Sequence, residues 1–130
     1  MRKRLSIGRW LVEFFFFTDK YDINAVLDCL YDMDADDYEL VSANRFMSSG
    51  EENTGFTYSN PRNRTATVVI GPASSGEEFL NTLVHEIYHL SAAIASELGV
   101  ELDSETPAYL SGDTILELAE IVYLLGCPSR

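Results

Sequence analysis

The sequence predicts a single α+β domain over residues 1–130, in which a small, mostly antiparallel sheet packs on helices. Short runs rich in β-branched and aromatic residues, bounded by turn residues, indicate strands. Longer segments with apolar residues three or four positions apart indicate amphipathic helices. With 130 residues, of which 46% are hydrophobic, the chain can bury a core without disulfides or a partner.

Three segments are predicted as strands. Ile7 to Thr18 places aromatic residues on both faces and ends in four consecutive phenylalanines, which is typical of a central strand. Gly55 to Ser59 and Thr65 to Ile70 are two shorter strands. The Pro, Asn and Arg residues of the separator Asn60 to Arg64 predict a hairpin turn whose arginines are solvated.

Two helices are predicted between the first strand and the hairpin. Asp22 can cap the first, which carries apolar residues at positions 23, 26, 27 and 30. The second, an acidic helix, is predicted from about Asp34 to Met47 and begins with Asp34. The aspartates at positions 32, 34, 36 and 37 invite a calcium-loop interpretation, but the glycine and terminal glutamate of an EF-hand loop are missing at their offsets.

Two more helices are predicted in the second half of the chain. The segment Glu77 to Ser96 has the apolar spacing of one helical face, and Ser75 with Glu78 forms a capping box at its start. Residues 98–100, Leu-Gly-Val, supply a break where the chain can turn back. A second helical stretch is predicted from Ser104 to Leu125.

The pentapeptide HEIYH at residues 85–89 is the most informative motif of the chain, and it holds the only two histidines. On a helix, positions i and i+4 share a face, so His85 and His89 can converge on one cation while Glu86 leans toward the same cleft. The motif predicts a zinc site with an adjacent general base. The plain alternative is a surface helix that carries two chance histidines.

A zinc ion held by two histidines needs a third protein ligand and leaves the fourth position for water. Glu105 is the preferred candidate. It shares one helical face with the small residues Ala108 and Gly112, which would let this helix approach the motif helix closely. Asp103 is the second choice, and Glu105 could instead only complement the helix dipole. The other carboxylates considered are Glu97, Glu101 and Asp113.

From about Thr65 to Gly126 the chain resembles the zincin superfamily of metallopeptidases, and within it the gluzincin type. HEIYH followed by Glu-Thr-Pro-Ala at residues 105–108 is similar to the HExxH and ExxA pattern of ImmA/IrrE-like peptidases and of small zincin-like proteins encoded by bacteriophages. The resemblance implies a minimal zincin-like domain with an HExxH active-site helix. It also implies that His85, His89 and Glu105 are zinc ligands and that Glu86 is the general base.

The activity expected is zinc-dependent hydrolysis of a peptide or protein substrate, in which Glu86 activates a zinc-bound water and passes its proton to the leaving nitrogen. Tyr109 could donate to the developing oxyanion, although Tyr88 and Tyr58 are equally available. The strand Thr65 to Ile70 is expected to be an edge strand beside the cleft, to which an extended peptide could add.

The net charge of −12 is unevenly distributed. Residues 65–129 contain ten acidic residues and no Lys or Arg. Such a field favours a divalent cation and cationic peptide segments, and it argues against a basic groove that binds nucleic acid. A merely soluble acidic surface would have the same composition.

The remaining features predict a cytoplasmic protein that is a monomer or a small homo-oligomer. Cys29 and Cys127 lie far apart without metal-ligand spacing, so free thiols of a reducing compartment are expected. The basic start of the chain resembles a signal peptide, but Gly8, Arg9 and Glu13 interrupt its apolar run. No stretch approaches the length of a membrane span.

Two other classes of function stay open at this point. The protein could be a zincin-shaped binding protein that keeps zinc without turnover. It could also be an acidic decoy or inhibitor of a basic, nucleic-acid-binding partner, with carboxylates and not the metal carrying the interaction. The first would depend on His85 and not on Glu86, and the second would be salt-sensitive and indifferent to a chelator.

Overall fold

A four-stranded mixed sheet with helices on both faces forms the fold, and the α+β prediction is confirmed. The computed structural model describes residues 1–127. The strands are β1 (Arg2–Ile7), β2 (Trp10–Phe16), β3 (Gly55–Asn60) and β4 (Thr65–Ile70). The helices are α1 (Ile23–Asp32), α2 (Asp37–Ser48), α3 (Gly76–Leu98), α4 (Glu105–Glu117) and α5 (Ala119–Gly126).

The spatial order of the strands is β1-β2-β4-β3. β1 pairs with β2 and β3 pairs with β4 in antiparallel fashion, whereas the central pair β2 and β4 is parallel. β2 therefore lies in the interior of the sheet, as its aromatic residues on both faces predict. β1 and β3 are the two edges.

Two apolar cores lie on opposite faces of the sheet because β2 alternates its side chains between them. Trp10, Phe14 and Phe16 pack with residues of α3, α4 and α5 in the larger core. Phe15 packs with residues of α1 and α2 in the smaller one. Among the described residues, no helix combines the length and apolarity needed to cross a bilayer.

The prediction of one strand from Ile7 to Thr18 is wrong at its start, because the chain reverses at Gly8 and Arg9 and forms a β1–β2 hairpin. Gly8 has φ +59°, a conformation that glycine adopts without strain. Strand β1 was not predicted, because three of its residues are basic and only Leu5 and Ile7 have buried side chains.

The second helix begins three residues later than predicted. Asp34 has φ +63° and lies outside the helix. Asp36 is the N-cap instead, and it forms a capping box with Glu39. Ser75 caps α3 as predicted, accepting a hydrogen bond of 3.1 Å from the Glu78 amide, but the Glu78 side chain does not return the second bond of the predicted capping box.

The fourth predicted helix is present, but its orientation differs from the prediction. It breaks at Leu118 into α4 and α5. Ala108 and Tyr109 are exposed, and no atom outside the local helix lies within 4 Å of a Cβ built on Gly112. This face points to solvent, so the predicted close approach to α3 through Ala108 and Gly112 is wrong. Ser111 faces α3 instead, 2.8 Å from the Ser91 hydroxyl.

Candidate metal centre

Helix α3 carries the three residues of the candidate site on adjoining faces. Ile87 and Leu90 anchor this helix in the larger core. Glu86 lies at the boundary with the sheet and is only 3% exposed. His85 and His89 lie farther round the helix and are exposed. The apolar spacing of α3 therefore orients a buried carboxylate and two accessible imidazoles toward the same cleft.

The two imidazoles converge as the helical spacing predicts. His85 Nε2 and His89 Nε2 are 3.2 Å apart. A tetrahedral zinc ion with Zn–N bonds of about 2.0–2.1 Å needs two nitrogens roughly 3.3–3.4 Å apart. The pair therefore fits two corners of a zinc coordination sphere.

The Glu86 carboxylate lies close to the two imidazoles without a hydrogen bond to either of them. Its Oε2 atom is 3.9 Å from His85 Nε2, and the ligand atoms of His85, Glu86 and His89 all lie within 4.8 Å of one another. At this separation a water molecule can lie between the carboxylate and an ion held by the histidines, which is the position that a general base needs.

Thr57 of strand β3 fixes the other oxygen of this carboxylate. Its hydroxyl is 2.9 Å from Glu86 Oε1 and 3.3 Å from the Glu86 carbonyl oxygen. A hydroxyl has one hydrogen, so the shorter contact is the principal hydrogen bond. The bond satisfies one buried carboxylate oxygen and leaves Oε2 directed toward the histidines.

Gly55 allows β3 to approach the motif helix closely. A Cβ atom at this position would lie 3.3 Å from Glu86 Cγ and 3.1 Å from Thr82 Cγ2. It would also lie 2.5 Å from the Val69 carbonyl oxygen. Neither Gly55 nor Thr57 was identified from the sequence, because their contacts with α3 join residues about thirty positions apart, beyond the reach of local spacing.

The predicted third ligand, Glu105, is not brought to the histidines. Among the described residues, His85, Glu86 and His89 form the group whose possible metal-ligand atoms all lie within 4.8 Å of one another. This group includes neither Glu105 nor Asp103. The side-chain hydrogen bond between the two helices joins Ser91 to Ser111, six residues beyond Glu105. Glu105 as a metal ligand stays a prediction.

Glu97, another carboxylate considered, has different partners. Its Oε1 atom accepts hydrogen bonds from Arg64 Nε at 3.0 Å and from Trp10 Nε1 at 3.1 Å. The Arg64 bond first, and then the Trp10 bond, lower the pKa of Glu97. Arg64 therefore pairs with the end of α3 while its side chain stays 44% exposed, so the prediction that it is solvated is confirmed.

Of the three tyrosines considered as oxyanion donors, Tyr88 has a ring contact with the histidine pair. Its ring centroid is 5.8 Å from that of His89. The Tyr58 hydroxyl donates to the Met33 carbonyl oxygen at 3.4 Å, on the side of the sheet that faces α2. Tyr109 is on the exposed face of α4. Their roles in catalysis stay predictions.

The edge strand beside the site is β3, so the prediction that Thr65 to Ile70 forms the edge is wrong. That segment is β4, which is paired on both sides. The Gly71 amide donates to the Thr54 carbonyl oxygen at 2.9 Å, at the start of the β3–β4 ladder. Because bonded pairs alternate, Gly55, Thr57 and Ser59 direct their N–H and C=O groups to the open edge.

Two clefts open along this edge on the α3 side. One, of about 410 Å³, is lined by β3 residues together with His85, Glu86 and His89. The other, of about 280 Å³, shares His85 and Glu86 and extends toward Asn53 and Asn81. The candidate metal ligands therefore lie between a free strand edge and open space large enough for an extended chain.

Comparisons with protein-family models, with curated proteins and with solved structures return no match to this chain. The likeness to zincins therefore depends on the HEIYH motif and on the Glu-Thr-Pro-Ala segment at residues 105–108.

Proposed function

We propose that this protein is a zinc-dependent peptidase in which His85 and His89 hold the metal and Glu86 is the general base. The observation that carries the proposal is the convergence of two Nε2 atoms 3.2 Å apart, with a buried carboxylate oxygen 3.9 Å from His85 Nε2. Two chance histidines on a helix surface would not require a buried, oriented glutamate beside them.

When bound, zinc lowers the pKa of a coordinated water and polarises a carbonyl oxygen. Glu86 accepts a proton from a water molecule in the cleft through Oε2 and delivers it to the leaving nitrogen. Thr57 holds Oε1 at 2.9 Å, which prevents the carboxylate from rotating away from the histidines.

The substrate proposed is an extended peptide paired with the open edge of β3. The outward N–H and C=O groups of Gly55, Thr57 and Ser59 supply main-chain hydrogen bonds for such a strand. This pairing would draw the peptide backbone along the 410 Å³ cleft that contains both histidines. The acidic surroundings, with ten acidic residues and no Lys or Arg in residues 65–129, favour basic flanking residues.

The test begins with zinc content. We expect His89→Ala to lose zinc, because one imidazole and water do not replace two imidazoles, whereas Glu86→Gln keeps it. Glu120→Ala, which removes an exposed carboxylate on α5, is the matched control. Zinc content that is the same in wild type and His89→Ala would overturn the metal assignment.

Cleavage is tested separately on a peptide library. Glu86→Gln should lower the rate by about 10²–10⁴-fold with zinc retained, as expected for loss of a general base. Glu105→Ala and Asp103→Ala decide the third ligand: loss of zinc in one of them identifies it. Retention in both would leave the two histidines and solvent as the metal ligands.

A second candidate, a zinc-binding protein without turnover, is favoured by one observation. Glu105 starts the helix that follows α3 but lies outside the group formed by His85, Glu86 and His89. Catalytic zinc sites hold the ion with three protein ligands, so a set of two histidines lacks one ligand that turnover needs. In that case His89→Ala would abolish a biological activity that Glu86→Gln leaves intact, and no peptide would be cleaved.

A further inference from the structure

An apolar cavity lies on the opposite side of strand β3 from the histidines. It has a volume of about 250 Å³ and lies between β3 and α2. Its walls are mainly apolar, and they include Leu30, Ala43, Phe46, Phe56 and Tyr58. The metal centre does not use this cavity.

Strand β3 separates this cavity from the metal centre by the alternation of its side chains. Thr57 points to α3, where it bonds Glu86. Phe56 and Tyr58 point to α2 and belong to the smaller core. Phe56 packs edge-on against Phe46 with ring centroids 5.3 Å apart. The open edge of β3 therefore runs between a polar cleft on one face and an apolar cavity on the other.

A peptide strand added to this edge would alternate in the same way, because residues directly opposite each other across a ladder share a face. The peptide residue opposite Thr57 would direct its side chain toward the histidines. The residues opposite Phe56 and Tyr58 would direct theirs toward α2. One peptide can thus occupy the candidate metal centre and the apolar cavity at once.

We infer that the cavity between β3 and α2 is a side-chain subsite that selects one large apolar residue, such as Leu, Phe or Met, in an extended peptide. This inference rests on the proposed function for the role of the peptide as substrate. The cavity volume suits a single large side chain, and its mainly apolar walls favour an uncharged one. Glu39, which also lines the cavity, further disfavours an acidic residue.

The binding experiment uses the Glu86→Gln protein, which should bind peptide without cleaving it. Short extended peptides differ at one position, which carries Leu, Phe, Ala, Lys or Asp, and their affinities are measured by fluorescence anisotropy with zinc and with chelator. Leu and Phe should bind on the order of tenfold or more tighter than Ala, because they bury several additional methyl or ring carbons. Asp should bind no better than Ala, and Lys should bind less tightly than Leu or Phe.

The location of the subsite is tested by filling it. Ser42 is exposed and lines the cavity, so Ser42→Phe can occupy the cavity without disturbing the core. It should reduce the preference for Leu over Ala to about twofold or less while zinc content is unchanged. Ser48→Phe, on the same helix but outside the cavity, should keep the preference. An unchanged preference in Ser42→Phe would overturn the inference.

The main-chain register is tested with the same peptides. In an added strand, alternate peptide amides face β3. N-methylation at these positions should abolish binding, whereas N-methylation at the intervening positions should leave it within about threefold of the unmodified peptide. Equal loss at every position, or at none, would exclude strand addition.

The results separate failure of the subsite from failure of the peptidase. Apolar preference that Ser42→Phe removes, in a protein that cleaves no peptide, would support the subsite and overturn the peptidase. Cleavage of library peptides with no apolar preference would support the peptidase and overturn the subsite. A preference that disappears in His89→Ala but not in Ser42→Phe would assign the selection to the metal cleft and overturn the inference.

Discussion

The two edges of the sheet differ in how they meet solvent. β1 has the sequence RKRLSI, and its three basic residues are exposed. β3 has the sequence GFTYSN, which contains no charged residue, and each of its residues is half-buried. Charged side chains on an edge strand discourage pairing with another chain. β1 is therefore a protected edge, whereas β3 remains available.

The charges of β1 also have a structural role, because two of them bind a buried acid. Glu13 is 2% exposed, and it forms ion pairs with Arg2 and Arg4. Arg2 also lies over the Phe15 ring, 4.7 Å from its centroid. The charged residues of the β1 edge thus stabilise a buried acid and discourage pairing with another chain. The β3 edge, beside the histidines, carries no charged residue.

The largest effect is expected at the protected edge. The double substitution Arg2→Ala, Arg4→Ala leaves Glu13 buried without a cation, which should lower the free energy of unfolding by about 3–5 kcal/mol at neutral pH. Glu13→Gln should cost less, because both arginines are partly exposed and can be solvated. Urea denaturation measures both. A smaller loss in the double variant than in Glu13→Gln would show that Glu13 does not need its cations.

The next effect distinguishes the bonded from the open side of β3. Tyr58 pairs with Thr67 on the bonded side, so Tyr58→Pro should cost about 3 kcal/mol through loss of a ladder hydrogen bond. The amide of Ser59 faces the open edge, so Ser59→Pro should cost less than about 1 kcal/mol and abolish peptide binding.

Alanine at the same positions provides the matched controls for these prolines. Tyr58→Ala measures the loss of the tyrosine side chain alone, and Ser59→Ala should preserve peptide binding. Stability is measured by thermal unfolding and binding by fluorescence anisotropy. The reverse order of stability losses would mean that the outward-facing residues have been assigned to the wrong register.

A smaller effect concerns the close packing of β3 on α3. Gly55→Ala should lower the free energy of unfolding by about 1–3 kcal/mol, because its Cβ would lie 2.5 Å from the Val69 carbonyl oxygen. Gly112→Ala on the open face of α4 should instead raise it by about 0.5–1 kcal/mol, since alanine favours a helix. Denaturant midpoints compare the two, and stabilisation by Gly55→Ala would contradict the tight contact.

The smallest effect concerns the turn between β3 and β4, where Arg64 forms an ion pair with Glu97 of α3. The Arg64 and Trp10 hydrogen bonds hold the pKa of Glu97 below its ordinary value of 4.5. A lowered folded pKa gives a contribution to stability that is present above the unfolded pKa and is lost as pH falls through the folded value. Fluorescence of Trp10, the single tryptophan, should therefore change below about pH 4.5 and not in Glu97→Gln. An acid transition in fluorescence that is identical in both proteins would exclude Glu97 as its source.

Local patterns predicted the elements that depend on neighbours in the chain. The β3–β4 hairpin, the caps at Asp22 and Ser75 and the helix that carries HEIYH were all predicted correctly. The convergence of His85 and His89 was predictable as well, because residues four positions apart on a helix must share a face. The helix boundaries at Asp36 and Leu118 were harder to predict from the sequence. Several aspartates near Asp36 could each cap the helix, and the helical spacing of apolar residues continues through Leu118.

Contacts between distant parts of the chain were not predictable in the same way. The rotation of α4 is one example: Glu105, Ala108 and Gly112 do form one face, but several faces of a weakly amphipathic helix could meet α3. Packing of Ser111 against Ser91 turned that face outward. The contact of Thr57 with Glu86 is another, because it joins residues that only the folding of β3 against α3 brings together.

The sequence by itself determined the paired histidines, the intervening glutamate and the helix that orients them, because a helical repeat fixes directions within a few residues. Only the tertiary structure decided that β3 and not β4 is the free edge, that Thr57 holds Glu86, and that Glu105 starts a helix away from the histidines. Strand order and helix rotation depend on how complete apolar faces are buried together, and no short stretch of sequence contains that information.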